Sequence, residues 1–128
     1  MLTTRTEILA DGVTLHMGDC REILPSVGRV AAVVTDPPYG MTDSSWDIAP
    51  NVAAMWRALK ANRDDAVFIL TASQPFTSAV VLGNEKDFRV EWIWEKNAGS
   101  NFGTVKWQPM KEHESILVFA KATPRLFS

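Results

Sequence analysis

Short apolar runs separated by turn residues predict a chain that alternates strands with helices. Strand-like runs cover residues 6–9, 13–17, 31–35, 66–71, 88–94 and 115–121, and the turn Asp11-Gly12 predicts that the first two form a hairpin. Apolar residues recur at helical spacing between Pro50 and Arg63, and shorter helices are expected at residues 20–24 and 77–82. We expect Pro25 to end the first of these helices.

This order predicts an α/β fold with about five core strands and two or three helices, in one domain over residues 1–128. Polar residues follow three of the strands, namely Asp19, Asp36 and Ser73. Ligands of α/β sheets bind outside the carboxyl ends of the strands, so we expect these residues to share one rim. The apolar stripe of the longest helix is assigned to the core and consists of Val52, Met55, Trp56 and Leu59.

The strand over residues 31–35 runs directly into the loop Asp36-Pro37-Pro38-Tyr39-Gly40. Two successive prolines hold the backbone extended, so the Asp36 side chain and the Pro37 carbonyl can accept from the two N–H bonds of one exocyclic amine. Such a pair frees the nitrogen lone pair and stabilises the positive charge that develops when the amine attacks an electrophile. Tyr39 offers a face for an extruded base, and Gly40 turns the chain without a Cβ in the pocket. The loop also suits an ordinary rigid turn.

Three segments together resemble the amino-directed DNA methyltransferases, which methylate adenine N6 or cytosine N4 with S-adenosylmethionine (SAM). They are Gly18-Asp19-Cys20 after an apolar strand, the loop at residues 36–40, and Trp94-Glu95-Lys96 followed by His113-Glu114 and another apolar strand. The resemblance implies a partial Rossmann-like SAM-dependent methyltransferase fold, whose mixed sheet ends in an antiparallel hairpin. An aspartate at the first loop position favours adenine N6 over cytosine N4.

The resemblance also implies roles for single residues. Asp36, Pro37 and Tyr39 are the expected catalytic residues. Asp19 is expected to accept from the adenine amino group of SAM, and its alternative role is the N-cap of the helix that follows. The further residues expected to contact the flipped base are Pro38, Gly40, Phe102 and Trp107. The loop over residues 39–49, which carries Trp46, is expected to form a flap over the substrate.

Charge and cysteine content narrow the chemistry. A formal net charge of −2 argues against a free-standing DNA-binding protein. The stretch over residues 96–111 has three lysines, no acidic residue and two aromatics, so it is the expected DNA-facing segment; a solvated loop is its alternative. The one cysteine, Cys20, excludes an internal disulfide, and no ligand-spaced histidines predict a metal site.

The sequence lacks the Phe-x-Gly-x-Gly loop with which this family holds the methionine part of SAM. The seven glycines stand at positions 12, 18, 28, 40, 83, 99 and 103, and no strand leads into a Gly-x-Gly turn. We therefore expect weak or absent activity from these 128 residues alone. The chain is then expected to be a truncated product, a remnant, or half of a split enzyme that a second chain completes. The alternative is a non-catalytic module that binds a partner or DNA. With no secretory signal and no membrane-length apolar run, the expected location is the cytoplasm.

Overall fold

The computed structural model describes residues 4–40, 50–100 and 111–122. The chain forms strands and helices in the order β1 (Arg5–Ala10), β2 (Val13–Met17), α1 (Cys20–Val27), β3 (Ala32–Thr35), α2 (Val52–Lys60), β4 (Val67–Ala72), α3 (Phe76–Leu82), β5 (Phe88–Ser100) and β6 (Lys111–Phe119). A single 3₁₀ turn at Glu85–Asp87 links α3 to β5. The predicted segments 41–49 and 101–110, with Trp46, Phe102 and Trp107, lie outside the described residues.

Four strands form one mixed sheet in the order β3-β4-β6-β5. Strand β3 runs parallel to β4, while β6 is antiparallel to both β4 and β5. The predicted mixed sheet that ends in an antiparallel hairpin is thereby confirmed. Strands β1 and β2 pair with each other in a separate two-stranded sheet, so the larger sheet has four described strands instead of about five.

The core lies on the face of the sheet that α2 and α3 cover. Strand β4 alternates between buried and half-buried positions, and its buried side chains are those of Phe68, Leu70 and Ala72. The Trp56 ring of α2 packs edge-on against Phe68 and Phe119, with centroid distances of 5.7 and 4.7 Å. The helical stripe predicted to be core is confirmed, since Trp56 and Leu59 are buried and the other two residues pack against them.

A buried arginine joins α1 to α2. Arg63 is 1% exposed, and its guanidinium donates to the carbonyls of Leu24 (2.5 Å), Gly28 (3.2 Å), Ala58 (2.9 Å) and Leu59 (2.9 Å). These carbonyls lie at the carboxyl ends of the two helices, where backbone acceptors lack partners within the helix. Arg63 therefore satisfies acceptors from two elements at once.

The prediction that Pro25 ends the first helix is wrong. Helix α1 continues through Pro25 to Val27 and ends at Gly28, whose φ is 78°. Proline removes a single backbone hydrogen bond here, the one to Arg21 of the preceding turn. Gly28 ends the helix instead, because its positive φ (ψ −153°) is a conformation that favours glycine and cannot continue a helix.

Candidate active site

The candidate site lies where the two parallel strands β3 and β4 end side by side. The register pairs Thr35 with Leu70, so the next residues, Asp36 and Thr71, lie level with each other. Leu70 points into the core, and the alternation of side chains along a strand sends Thr71 to the opposite face. The Thr71 hydroxyl donates to Oδ1 of Asp36 at 2.5 Å. Asp36 itself is exposed, so a ligand can reach its carboxylate.

Tyr39 makes a second contact to the same carboxylate oxygen. Its hydroxyl donates to Oδ1 of Asp36 at 3.1 Å. Its ring stacks on Phe76, the first residue of α3, with centroids 5.5 Å apart and planes 25° apart. Phe76 therefore supports one face of the tyrosine, and a base could stack only on the other face.

The environment of Tyr39 keeps its hydroxyl protonated. Burial is the main cause that raises the pKa of Tyr39 above its ordinary value, and the nearby carboxylates of Glu114 and Asp36 add to it. The nearby Thr71 hydroxyl acts in the opposite direction. Tyr39 is thus a hydrogen-bond donor to Asp36 across the physiological pH range.

The residues of the loop differ in exposure. Pro37, Pro38 and Tyr39 are half-buried, whereas Asp36 and Gly40 are exposed. Gly40 adopts φ 75°, a left-handed conformation that favours glycine. The loop is therefore anchored in its middle and open at the carboxylate.

An ion pair on β5 and β6 lies near this loop. Lys96 Nζ is 3.2 Å from Oε2 of Glu114 and 5.7 Å from the centroid of the Trp94 ring. Trp94 pairs with Glu114 across the two strands. Glu114 is close enough to Tyr39 for its charge to raise the pKa of that hydroxyl. The Trp94-Glu95-Lys96 and His113-Glu114 motifs are thus brought together. Glu114 of the second motif also lies near the loop that carries Asp36 and Tyr39.

Asp19 lies in a different setting from Asp36. It follows β2, which belongs to the separate hairpin sheet, and it is the N-cap of α1. Its Oδ1 accepts from the Arg21 backbone N–H at 2.9 Å, and its Oδ2 lies 2.6 Å from Arg21 Nη2. These hydrogen bonds from Arg21 lower the pKa of Asp19 to about 2. The alternative role as an N-cap is confirmed. Asp36 and Ser73 follow adjacent strands of the larger sheet, whereas Asp19 follows a strand of the separate hairpin sheet.

Sequence reasoning missed Thr71. The signal was present, because Thr71 is a polar residue in an otherwise apolar strand, on the face opposite to the core. What the sequence did not contain was its partner, since the pairing of Thr71 with Asp36 depends on the register between two strands.

Two classes of feature are absent from the described ranges. Residues 4–40, 50–100 and 111–122 contain no group of three or more His, Cys, Asp or Glu side chains arranged to hold a metal ion. Over the same residues, no helix is both long and apolar enough to cross a bilayer.

Comparison with solved structures defines the class of fold. The arrangement of the described strands and helices is similar to that of M1.HpyAVI in two solved structures. The chain is similar to M1.HpyAVI solved as a complex with SAM, with a TM-score of 0.56 and 18% sequence identity over 84% of this chain. It is also similar to M1.HpyAVI in a second crystal structure, with a TM-score of 0.55 and 18% identity over 87% of this chain.

The match extends over only part of those neighbours. This chain spans 54% of the first M1.HpyAVI chain and 60% of the second. No protein-family model and no curated protein matches the sequence. The comparisons therefore establish the fold.

Proposed function

We propose that the chain is the catalytic part of a DNA methyltransferase that transfers the methyl group of SAM to adenine N6, and that residues 1–128 form one catalytic domain. The observation that carries the proposal is the exposed carboxylate of Asp36, which Thr71 and Tyr39 hold by one oxygen at the carboxyl end of a parallel strand. The fold, the prolines that follow and the stacked aromatic ring support the same chemistry.

In the proposed reaction, Asp36 accepts from one N–H bond of the adenine amine and the Pro37 carbonyl accepts from the other. Within the described residues, both hydrogen bonds to Asp36 reach Oδ1, which leaves Oδ2 for the amine. The N6 lone pair forms a bond to the methyl carbon while the carbon–sulfur bond breaks, so S-adenosylhomocysteine departs. The nitrogen then loses one proton to solvent. Electrostatic stabilisation of the developing positive charge is the contribution of the two acceptors.

The flipped adenine stacks on the face of Tyr39 opposite to Phe76. Stacking of this kind contributes roughly 1–3 kcal/mol per base. Because Phe76 already supports the tyrosine ring, little ordering is required when the base arrives. Pro38 and Gly40 shape the same loop, and Phe102 and Trp107 are proposed for the other face of the base.

SAM is the second substrate, and Asp19 is proposed to accept from its adenine amino group. A carboxylate has about four lone-pair sites. Asp19 can therefore bind the amine of SAM while it retains its N-cap hydrogen bond, provided that the amine shares Oδ2 with Arg21. M1.HpyAVI has been solved with SAM, and this chain spans about half of that protein. Further polypeptide, either more of the same chain or a second chain, is proposed to supply the remaining SAM contacts and target recognition.

A second candidate function is a non-catalytic module that binds a partner or DNA. The observation that favours it is the engagement of both Asp19 oxygens by Arg21. The hairpin also exposes large apolar side chains, with Ile8 80% and Leu15 52% exposed, as an interaction surface would.

A cytosine-N4 methyltransferase would use the same geometry at Asp36 and is distinguished only by its product.

The first test is methyl transfer from labelled SAM to DNA by the purified chain. N6-methyladenine in the digested DNA supports the proposal, and N4-methylcytosine would change its substrate. The isosteric substitution Asp36→Asn should lower the rate by about 100-fold or more. Asp65→Asn is the matched control, because Asp65 is an exposed aspartate that forms an ion pair with the surface residue Arg29.

Calorimetric titration with SAM separates the two candidate functions. Micromolar affinity that is lost in Asp19→Ala supports the enzyme. Absence of binding at millimolar SAM, together with absence of methyl transfer, would favour the non-catalytic module.

A further inference from the structure

We propose that Thr71 is a positioning residue for the methyl-transfer step, because its hydroxyl fixes which oxygen of Asp36 faces the substrate amine. This inference rests on the proposed function and deepens it. The sequence motif assigns no role to Thr71, since it lies 35 residues beyond Asp36 on another strand.

An aspartate does not define the orientation of its own carboxylate. The terminal torsion of Asp side chains is broad and roughly two-fold, so the two oxygens exchange places at little cost. Two donors to one oxygen remove that freedom. At Asp36, Thr71 Oγ1 and the Tyr39 hydroxyl both reach Oδ1, at 2.5 and 3.1 Å.

The two donors do not contribute equally. The Thr71 contact is the shorter, and it arises from a strand whose backbone is paired on both sides, with β3 at one edge and β6 at the other. Thr71 is β-branched, so its χ1 angle has few alternatives. Tyr39 belongs to the loop that accepts the substrate and stacks the base. Thr71 is therefore the donor whose position does not depend on substrate binding.

The chemical consequence follows from the geometry of the amine. The acceptor must lie in the direction of one N–H bond while the Pro37 carbonyl lies along the other. Displacement of a reacting group by about 1 Å costs roughly 100-fold in rate. Rotation of the carboxylate would displace Oδ2 on that scale without weakening the binding of DNA or SAM. The expected signature is thus a change in the rate of transfer at constant affinity.

The experiment compares Thr71→Val, Thr71→Ser and Thr14→Val in the full chain. Val has the shape of Thr without the hydroxyl, Ser retains the hydroxyl, and Thr14 is an exposed threonine of β2. With saturating SAM and DNA, Thr71→Val should lower the methyl-transfer rate by about 10- to 100-fold. The KM values for DNA and SAM should stay within about twofold of wild type, since binding contacts are unchanged. Thr71→Ser should restore most of the rate, and Thr14→Val should not change it.

A second measurement does not depend on activity. The Thr71 hydroxyl proton, held by a carboxylate, should exchange slowly enough to be observed by NMR and should disappear in Asp36→Ala. If wild type methylates DNA and Thr71→Val matches it, the positioning role is wrong and the proposed function stands. If wild type neither binds SAM at millimolar concentration nor methylates DNA, the proposed function fails, and the NMR signal still decides whether Thr71 holds Asp36. A rapidly exchanging hydroxyl overturns the inference in either case.

Discussion

The guanidinium of Arg21 closes on the carboxylate of Asp19, with Nη2 and Oδ2 2.6 Å apart and Nε within 3.2 Å of both oxygens. The two residues are separated by one position at the start of α1, so the contact is local and forms with the helix. It places a cation on the carboxylate that the sequence motif assigns to SAM.

Replacing Arg21 by Met should raise the pKa of Asp19 from about 2 towards 3.8, because the side-chain hydrogen bonds from Arg21 are the largest cause of the lowering. A carboxyl group whose pKa is lower in the folded state stabilises that state at every pH above its unfolded-state pKa. This contribution is lost as the pH falls through the folded-state pKa. Wild type should therefore exceed Arg21→Met in stability above about pH 4, and the difference should vanish near pH 2.

Carbon-detected NMR titration of Asp19 and urea unfolding at several pH values test this prediction. Arg57→Met is the matched control, because Arg57 is exposed on α2. An unchanged Asp19 titration in Arg21→Met would contradict the assignment of cause.

Tyr39 should ionise only at a higher pH in the folded chain than in the unfolded chain, because burial raises its pKa above 10.0. The unfolded state then releases its proton first, so the free energy of unfolding should fall as pH rises above about 10. Tyr39 is the only tyrosine, so tyrosinate absorbance reports it alone. Tyr39→Phe should remove both the absorbance change and this part of the pH dependence. A native midpoint at 10 would show that the hydroxyl is solvated.

Arg63→Met should lower the free energy of unfolding by about 3 kcal/mol or more, since each buried acceptor left without a partner costs roughly 1–3 kcal/mol. Four carbonyls share the guanidinium. Arg63→Lys should be intermediate, because an ammonium retains the charge but cannot span both helix ends. Urea unfolding measures the difference. Equal stability of the Met and Lys variants would indicate that the geometry of the donor has no importance.

Gly83→Ala should destabilise the chain by about 1–3 kcal/mol through overpacking. An added Cβ would lie 2.6 Å from Val52 Cγ1 and 3.0 Å from Trp56 Cδ1. The backbone of Gly83 has φ −68°, so the cost is steric and not conformational. In a Val52→Ala background the same substitution should cost less, and thermal unfolding of the four variants gives the coupling. Additive effects would contradict the predicted clash.

The parts of the fold that the sequence predicted are those governed by short-range pattern. Alternation along residues 66–71 located β4, and the helical stripe that contains Trp56 located α2 and its buried face. The end of α1 was misplaced because Pro25 was weighted above Gly28, although one missing hydrogen bond is tolerated more easily than a left-handed residue within a helix.

In the candidate site, too, the sequence predicted the residues of a contiguous segment and missed one that depends on strand pairing. Asp36 and Tyr39 were predicted because a strand and a contiguous loop carry them. Thr71 was not, since its partner comes from another strand and depends on the register between the two. Asp19 had two candidate roles, and the local hydrogen bonds of α1 establish the N-cap.

The pairing register of β3 and β4 ties the chemistry of the chain to its hydrophobic pattern. Phe68, Leu70 and Ala72 face the helices. Thr71 lies between the last two, so the alternation of side chains along the strand places it on the opposite face. An insertion of one residue within β4 would turn its apolar side chains to the wrong face and withdraw the hydroxyl from Asp36 in the same event. An insertion in the connection over residues 61–66 would change neither the face of the apolar side chains of β4 nor the contact between Thr71 and Asp36. The alignment at Asp36 thus depends on the same alternation of side chains that forms the core.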